Sequence, residues 1–296
     1  MDGDQNAQED RPGSNQVKRL HNTNCGFCGC ELTVENSTKE HVIGRRFVPK
    51  GALDREWNLI LNACRPCNNK KGDLEDDISA ITLNAPLGHY DDRRDMARES
   101  GDRKSKKSKS RRTQNPVSQS DERHFISGQF GAAKITFGFT SPPQIDSDRL
   151  NELALMHITA FCYAMTYDEQ TQKGMFWQDH LEVINASSKA DWGNPVQVEF
   201  AELVLTWPHH FAGSLARGFF KVIIRKEPGN GIWAWALEWN ESKRIIGIFG
   251  KYQKCEFFYD QLPQLVFKQH NAQYSSRQEK SLPPAEDKLF VLATNA

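Results

Sequence analysis

Hydrophobic residues recur at helical spacing over residues 148–167 and follow strand-like patterns in several shorter segments. The first segment carries few charges, which predicts a buried helix capped by Asp146, Ser147 or Asp148, with His157 as a core histidine. Strands are predicted at 134–140, 219–225, 232–239 and 244–249. The turn sequences Pro-Gly-Asn-Gly and Asn-Glu-Ser separate the last three strands and indicate an antiparallel meander. The predicted fold class is α+β.

The strand over 232–239 carries its largest side chains at alternate positions. Trp233, Trp235, Leu237 and Trp239 must therefore lie on one face of the sheet. This face is interpreted as packing on the buried helix, because Ala234 and Ala236 leave the opposite face without the bulk to form a core. The alternative is an aromatic platform on which bases stack.

Length and composition narrow the class of protein. A chain of 296 residues favours two domains. No segment approaches the run of about 18 apolar residues that a membrane span requires, and residues 1–16 do not resemble a signal peptide. We therefore expect a soluble, cytoplasmic protein with no membrane partner and a disordered N-terminus over 1–16.

Charge is distributed unevenly, although 38 basic and 38 acidic residues balance over the whole chain. Residues 17–72 carry a net charge of +5, and residues 103–112 contain seven basic residues and no acidic ones. The surrounding stretch lacks apolar side chains, so 101–120 is predicted to be a basic flexible linker. It would separate an N-terminal domain, 17–100, from a C-terminal domain, 121–296, and would act either as a phosphate-contacting arm or as a spacer.

Five of the seven cysteines lie between Cys25 and Cys67, which argues against a disulfide framework. Cys25 and Cys28 form one Cys-x-x-Cys pair, and Cys64 and Cys67 form a second. The two pairs are separated by 35 residues. Four thiolates in this pattern are typical of a structural zinc site. Cys30 could compete with Cys28 as a ligand, but Cys28 preserves the pairing.

The segments CGFCG, EHVI, NL and CRPCNNKKGD follow one another over residues 20–80. Together they resemble the zinc-bearing branch of the HNH endonucleases. The resemblance implies a treble-clef-like ββα-metal unit, in which a hairpin around Glu40 and His41 precedes a helix that begins near Cys67. It covers about a quarter of the chain and implies nothing about the C-terminal domain.

The chemistry of these residues agrees with the resemblance. His41 titrates near neutrality and suits a general base that activates water. Glu40 and the amide oxygen of Asn68 suit a hard cation such as Mg²⁺ or Mn²⁺. By resemblance, Asn58 braces the loop that aims His41, and Lys71 neutralises charge on a phosphate.

Nucleic-acid contacts are expected from basic residues close to these motifs, namely Arg45, Arg46, Lys70 and Lys71. The chain departs from the family pattern at three places. Asn68 replaces histidine, Glu40 replaces the commoner aspartate, and the spacing before Cys64 leaves Asn62 as an alternative to Asn58.

The expected activity is metal-dependent hydrolysis of DNA phosphodiester bonds, with RNA not excluded as a substrate. The C-terminal domain would select a substrate, a protein partner or an activating ligand. By analogy of architecture, such a protein would be a regulated effector in genome defence or a mobile element. The alternative is a non-catalytic zinc-finger module that binds nucleic acid or protein.

Overall fold

In a computed structural model of the protein, the described residues are 17–84, 92–131, 133–176, 179–229, 231–271 and 274–292. They form a mixed α+β fold, as predicted. The predicted disorder of residues 1–16 lies outside the described residues. None of the described helices is both long and apolar enough to cross a bilayer.

The N-terminal part is a small sheet followed by a helix. Its strands are β1 (Lys18–Arg19), β2 (Ser37–His41) and β3 (Leu59–Cys64), and α1 (Arg65–Asn84) follows directly. β3 is the central strand, antiparallel to β2 and parallel to β1. The hairpin and helix therefore occur in the predicted order, with the helix beginning two residues before Cys67.

Residues 101–120 are packed against α1, in contrast to the flexible linker predicted from their composition. Helix α2 (Asp92–Ser105) lies beside α1 and runs into a turn that ends in the 3₁₀ segment Val117–Gln119. Ser108 donates a hydrogen bond to Asp76 at 2.9 Å, and Val117 is fully buried. The linker prediction failed because polar side chains can be buried once they are hydrogen-bonded, as Lys104 is to the Ser79 hydroxyl of α1.

A five-stranded antiparallel sheet dominates the C-terminal part, in the order β6-β10-β9-β8-β7. Its strands are β6 (His180–Ser188), β7 (His209–Leu215), β8 (Phe220–Lys226), β9 (Trp233–Trp239) and β10 (Lys243–Gly250). The predicted meander is confirmed as β8, β9 and β10. Two separate hairpins also form, β4 (Glu122–Phe130) with β5 (Ala133–Ser141), and β11 (Lys268–Asn271) with β12 (Tyr274–Ser276).

Helices cover both faces of this sheet. Helix α3 (Ser147–Met165) packs on one face, and its N-cap is Asp146, whose carboxylate accepts hydrogen bonds from two main-chain amides. Helices α4 (Pro195–Val204) and α5 (Tyr252–Tyr259) pack on the other face. Shorter 3₁₀ segments lie at Lys189–Asp191, Ala216–Gly218 and Pro284–Glu286.

The tryptophan face of β9 is part of the core, as predicted. Trp235 and Trp239 belong to a buried cluster that includes residues of α3. The opposite face is also buried, contrary to the expectation from Ala234 and Ala236. Neighbouring strands and helices supply the missing bulk there, through Ile223, Ile246, Ile248, Phe200 and Phe258.

One hydrophobic cluster joins the N-terminal part to the C-terminal sheet. Phe47 and Leu74 lie in the same buried cluster as Phe220 and Trp239. His157 lies within this cluster and is fully buried, as predicted for a core histidine. The boundary predicted at 101–120 therefore does not separate two cores among the described residues.

Candidate metal centre and catalytic site

Four cysteines converge where the zinc site was predicted. Cys25 and Cys28 lie in a turn before β2, Cys64 ends β3, and Cys67 lies in the first turn of α1. Their sulfur atoms all lie within 4.8 Å of one another, and the Sγ atoms of Cys28 and Cys64 are 3.8 Å apart. A tetrahedral ion with Zn–S bonds of about 2.3 Å requires sulfur–sulfur distances of about 3.8 Å. The four thiols are therefore close enough to hold a zinc ion.

Cys30 is exposed and is not one of these four cysteines. Its main-chain carbonyl accepts a hydrogen bond from the Cys25 amide at 2.7 Å, which closes the turn that carries Cys28. The pairing of Cys25 with Cys28 thus agrees with the geometry.

Glu40 and Asn68 lie at the interface between β2 and α1. Thr38 and Glu40 occupy alternate positions of β2 and so share a face of the strand. The Asn68 side-chain amide donates a hydrogen bond to the Thr38 hydroxyl at 2.9 Å, which leaves Oδ1 as the amide atom that can ligate a cation. Lys71, one helical turn further along α1, contacts Glu40.

Lys71 is buried, which corrects its predicted role as a phosphate contact. Its Nζ atom lies 2.8 Å from Glu40 Oε1, 3.0 Å from the His41 carbonyl oxygen and 2.6 Å from Glu75 Oε1. The three donors of the ammonium match these three protein acceptors, and the side chain has no exposed surface. Lys71 therefore acts on β2 and cannot reach an external phosphate in this arrangement.

Asn58 holds the loop that follows His41. Its amide nitrogen donates to the Ile43 carbonyl at 2.9 Å, and its amide oxygen accepts from the Ile43 amide at 3.3 Å. Asn62, the alternative considered for this role, instead pairs with Asn22. The position expected to brace the loop is thus occupied by Asn58.

His41 is the last residue of β2 and is half-buried. Burial lowers the pKa of its imidazole, and the positive charges of Arg45 and Lys71 lower it further. A neutral imidazole can accept a proton at neutral pH. Among the residues that the structure describes, no hydrogen bond joins the His41 ring to Glu40 or Asn68.

Glu75 is a member of this site that the sequence motifs did not identify. It lies four residues after Lys71 on α1, accepts a hydrogen bond from the Gly44 amide at 3.2 Å, and faces His157 of α3 at 3.8 Å. The i,i+4 spacing from Lys71 was the available sequence signal. Its proximity to Gly44 depends on how α1 packs against the loop.

The four predicted nucleic-acid contacts occupy different environments. Arg45 and Arg46 are exposed on the loop after β2. Lys70 is exposed but forms an ion pair with Glu152 of α3. Burial lowers the pKa of Lys104 to about 8, and the neighbouring positive charge of Arg46 contributes to this shift. Lys104 therefore lies near Arg46.

Helices α1 and α3 are joined by further ion pairs. Arg149 contacts Asp73 and Asp77, each at 2.8 Å. Asp77 is almost fully buried, whereas Asp73 is about half exposed. These contacts fix α3 along the side of α1 without touching β2.

No family model, curated protein or solved structure matches this chain. The fold and the site thus define the protein as an α+β protein with a four-cysteine centre that could hold a metal ion. Beside this centre lies a buried carboxylate–lysine cluster.

Proposed function

We propose that this protein is a zinc-stabilised, Mg²⁺- or Mn²⁺-dependent endonuclease of the HNH type that hydrolyses DNA phosphodiester bonds. The observation that carries the proposal is the arrangement of the motif residues around one hairpin and one helix. Glu40 and Asn68 lie at the β2–α1 interface, and Asn58 braces the loop that follows His41. Of the four cysteines, Cys64 and Cys67 lie at the junction of β3 and α1, and Cys25 and Cys28 lie in the turn before β2.

The donor atoms suit two different metals. Four sulfur atoms favour zinc in a closed structural site. The Glu40 carboxylate and the Asn68 amide oxygen are hard ligands, as Mg²⁺ and Mn²⁺ prefer. A divalent cation held there would supply Lewis-acid neutralisation of the phosphate charge.

In this proposal, His41 is the general base. Its neutral imidazole takes one proton from a water molecule, whose oxygen forms a new bond to phosphorus. The bond between phosphorus and the 3′ oxygen breaks. The leaving oxygen takes a proton from solvent to become a 3′-hydroxyl, and His41 releases to solvent the proton that it accepted. The products are 5′-phosphate and 3′-hydroxyl ends, with the enzyme unchanged.

Exposed positive charge beside the site supports a nucleic-acid substrate. Arg45 and Arg46 are exposed on the loop that directly follows His41. Lysine and arginine at the backbone of DNA supply affinity that is independent of sequence. In this proposal, Arg45 and Arg46 take over the phosphate-contacting role predicted for Lys71, because Lys71 is buried.

A plasmid-nicking assay with Mg²⁺ or Mn²⁺ tests the proposal. We expect the wild-type protein to nick supercoiled DNA and His41→Ala to lose this activity. His21→Ala is the matched control, because His21 is an exposed histidine in the same part of the chain. Equal nicking by wild type and His41→Ala would refute the assignment of the base.

One observation favours the alternative of a non-catalytic zinc module that binds nucleic acid or protein. Glu40 is paired with a buried lysine, and its side chain is only 13% exposed. A carboxylate engaged in this way is less available to a cation. Binding of DNA by the wild-type protein, without nicking under any of the metal conditions, would favour this alternative.

A further inference from the structure

The group formed by Glu40, Lys71 and Glu75 has an uneven charge balance. One ammonium lies between two carboxylates, at 2.8 Å from Glu40 and 2.6 Å from Glu75. Glu75 is the more deeply enclosed of the two carboxylates; burial raises its pKa, but Lys71 and His157 together lower it by more. Burial raises the pKa of Glu40, Lys71 lowers it, and Glu75 raises it further. The two carboxylates therefore share a single ammonium.

His157 borders the cluster without adding charge. It is fully buried among the rings of Phe47, Phe220 and Trp239, and burial lowers the pKa of its imidazole. A neutral ring does not offset the charge of Glu75. Lys71 is therefore the charged partner that Glu75 shares with Glu40 of β2.

The same cluster fixes the geometry of the strand end. Lys71 donates to the His41 carbonyl, and Glu75 accepts from the Gly44 amide, so the chain is held on both sides of residues 42 and 43. Gly44 is required for this approach, because a Cβ atom at that position would collide with the Glu75 carboxylate. Any larger residue would displace either the loop or the carboxylate.

We propose that Glu75 is a positioning residue for cation binding by Glu40, an inference that rests on the proposed function. Glu75 shares the ammonium of Lys71 with Glu40, so Glu40 does not hold that ammonium alone and can still attract a divalent cation. It also holds the loop after His41 in place. Without this carboxylate, Lys71 would neutralise Glu40 alone.

The test is the affinity of the full-length, zinc-loaded protein for Mn²⁺, measured by electron paramagnetic resonance of the free ion. We expect Glu75→Gln to weaken Mn²⁺ binding by about 10-fold or more, in line with the loss of other outer partners of metal ligands. Amide hydrogen exchange at Gly44 should also accelerate. Unchanged Mn²⁺ affinity in folded Glu75→Gln would overturn the proposal.

Asp77→Asn is the matched control. Asp77 is a buried carboxylate on the same helix, but its partner is Arg149 of α3 and not a residue of β2. We expect this variant to lose stability while retaining wild-type Mn²⁺ affinity. An equal loss of affinity in both variants would assign the effect to general destabilisation and overturn the proposal.

A second variant keeps the proposal testable if Glu75→Gln does not fold. Gly44→Ala separates the loop from the Glu75 carboxylate without changing any charge, and we expect it to weaken Mn²⁺ binding too. Wild-type affinity in this variant would count against the positioning role.

The failure of this inference is distinguishable from the failure of the proposed function. Weaker Mn²⁺ binding by Glu75→Gln, together with equal nicking by wild type and His41→Ala, would support the positioning role and refute the base. Loss of nicking in His41→Ala with unchanged Mn²⁺ affinity in Glu75→Gln would support the base and refute the positioning role. Absence of Mn²⁺ binding by the wild-type protein would overturn both the cation site and the role of Glu75.

Discussion

Replacing Phe47 with alanine tests whether the part with the four-cysteine centre and the C-terminal sheet unfold as one unit. Phe47 follows β2 in the chain but lies fully buried against the rings of His157 at 5.5 Å and Trp239 at 5.3 Å. Its main-chain carbonyl also accepts a hydrogen bond from Asn240 at 3.0 Å. The side chain is therefore a direct connection between the two parts of the core.

The expected cost is large because a whole aromatic side chain is removed from a closely packed site. Phenylalanine-to-alanine changes in protein cores reduce the free energy of unfolding by about 3–5 kcal/mol. With a urea m-value of about 3 kcal/mol/M or more, the unfolding midpoint should fall by roughly 1 M. The N-terminal and C-terminal parts should show the same shift in midpoint, because the cavity left by the missing ring would lie between them.

Two probes in one urea titration measure the unfolding midpoints of the two parts. Release of bound metal to a chromophoric chelator reports on the four-cysteine centre, and tryptophan fluorescence reports on the C-terminal part, since six of the seven tryptophans lie beyond residue 176. Phe257→Ala is the control, because Phe257 is 71% exposed and its loss should leave both midpoints unchanged. A midpoint that shifts for metal release but not for fluorescence would refute the single shared core.

Three further changes address the site itself. Cys67→Ser should reduce the zinc content measured by atomic absorption, whereas Cys30→Ser should retain it; loss of zinc in both would contradict the choice of ligands. Asn58→Ala removes two buried hydrogen bonds to main-chain atoms and should cost about 2–4 kcal/mol in chemical denaturation, and a cost near zero would refute its bracing role. Replacing both Arg45 and Arg46 with alanine should change the salt dependence of DNA binding, measured with Ca²⁺ in place of Mg²⁺ or Mn²⁺. The slope of log affinity against log salt concentration should become less steep by about 2. An unchanged slope would exclude this loop from the phosphate contacts.

The elements that the sequence predicted well are those with a local pattern. Helix α3 and the meander of β8, β9 and β10 follow from the spacing of apolar residues and from turn sequences a few residues long. The four-cysteine centre follows from two Cys-x-x-Cys pairs, because each pair fixes two sulfur atoms within one turn. In each case, the residues that decide the outcome are neighbours in the chain or belong to a short repeated pattern.

The sequence was misleading where burial depends on a distant partner. Residues 101–120 contain too few apolar side chains to predict packing, yet Lys104 donates a hydrogen bond to the Ser79 hydroxyl of α1 and Ser108 donates one to Asp76. Lys71 was expected at the surface because isolated lysines are rarely buried, but two carboxylates and a carbonyl compensate its charge. Neither outcome is visible in the local sequence.

The sequence by itself thus determined the donor types and their order along the chain: four sulfur atoms, a Glu-His pair and an asparagine after the last cysteine. The tertiary structure decided which of the polar side chains face one another. It placed Glu75 against Lys71 and Gly44, and it joined the part with the four-cysteine centre to the sheet through Phe47. The physical reason is that chain spacing fixes contacts only within an element, whereas the charge balance of a buried site depends on elements that meet from distant parts of the chain.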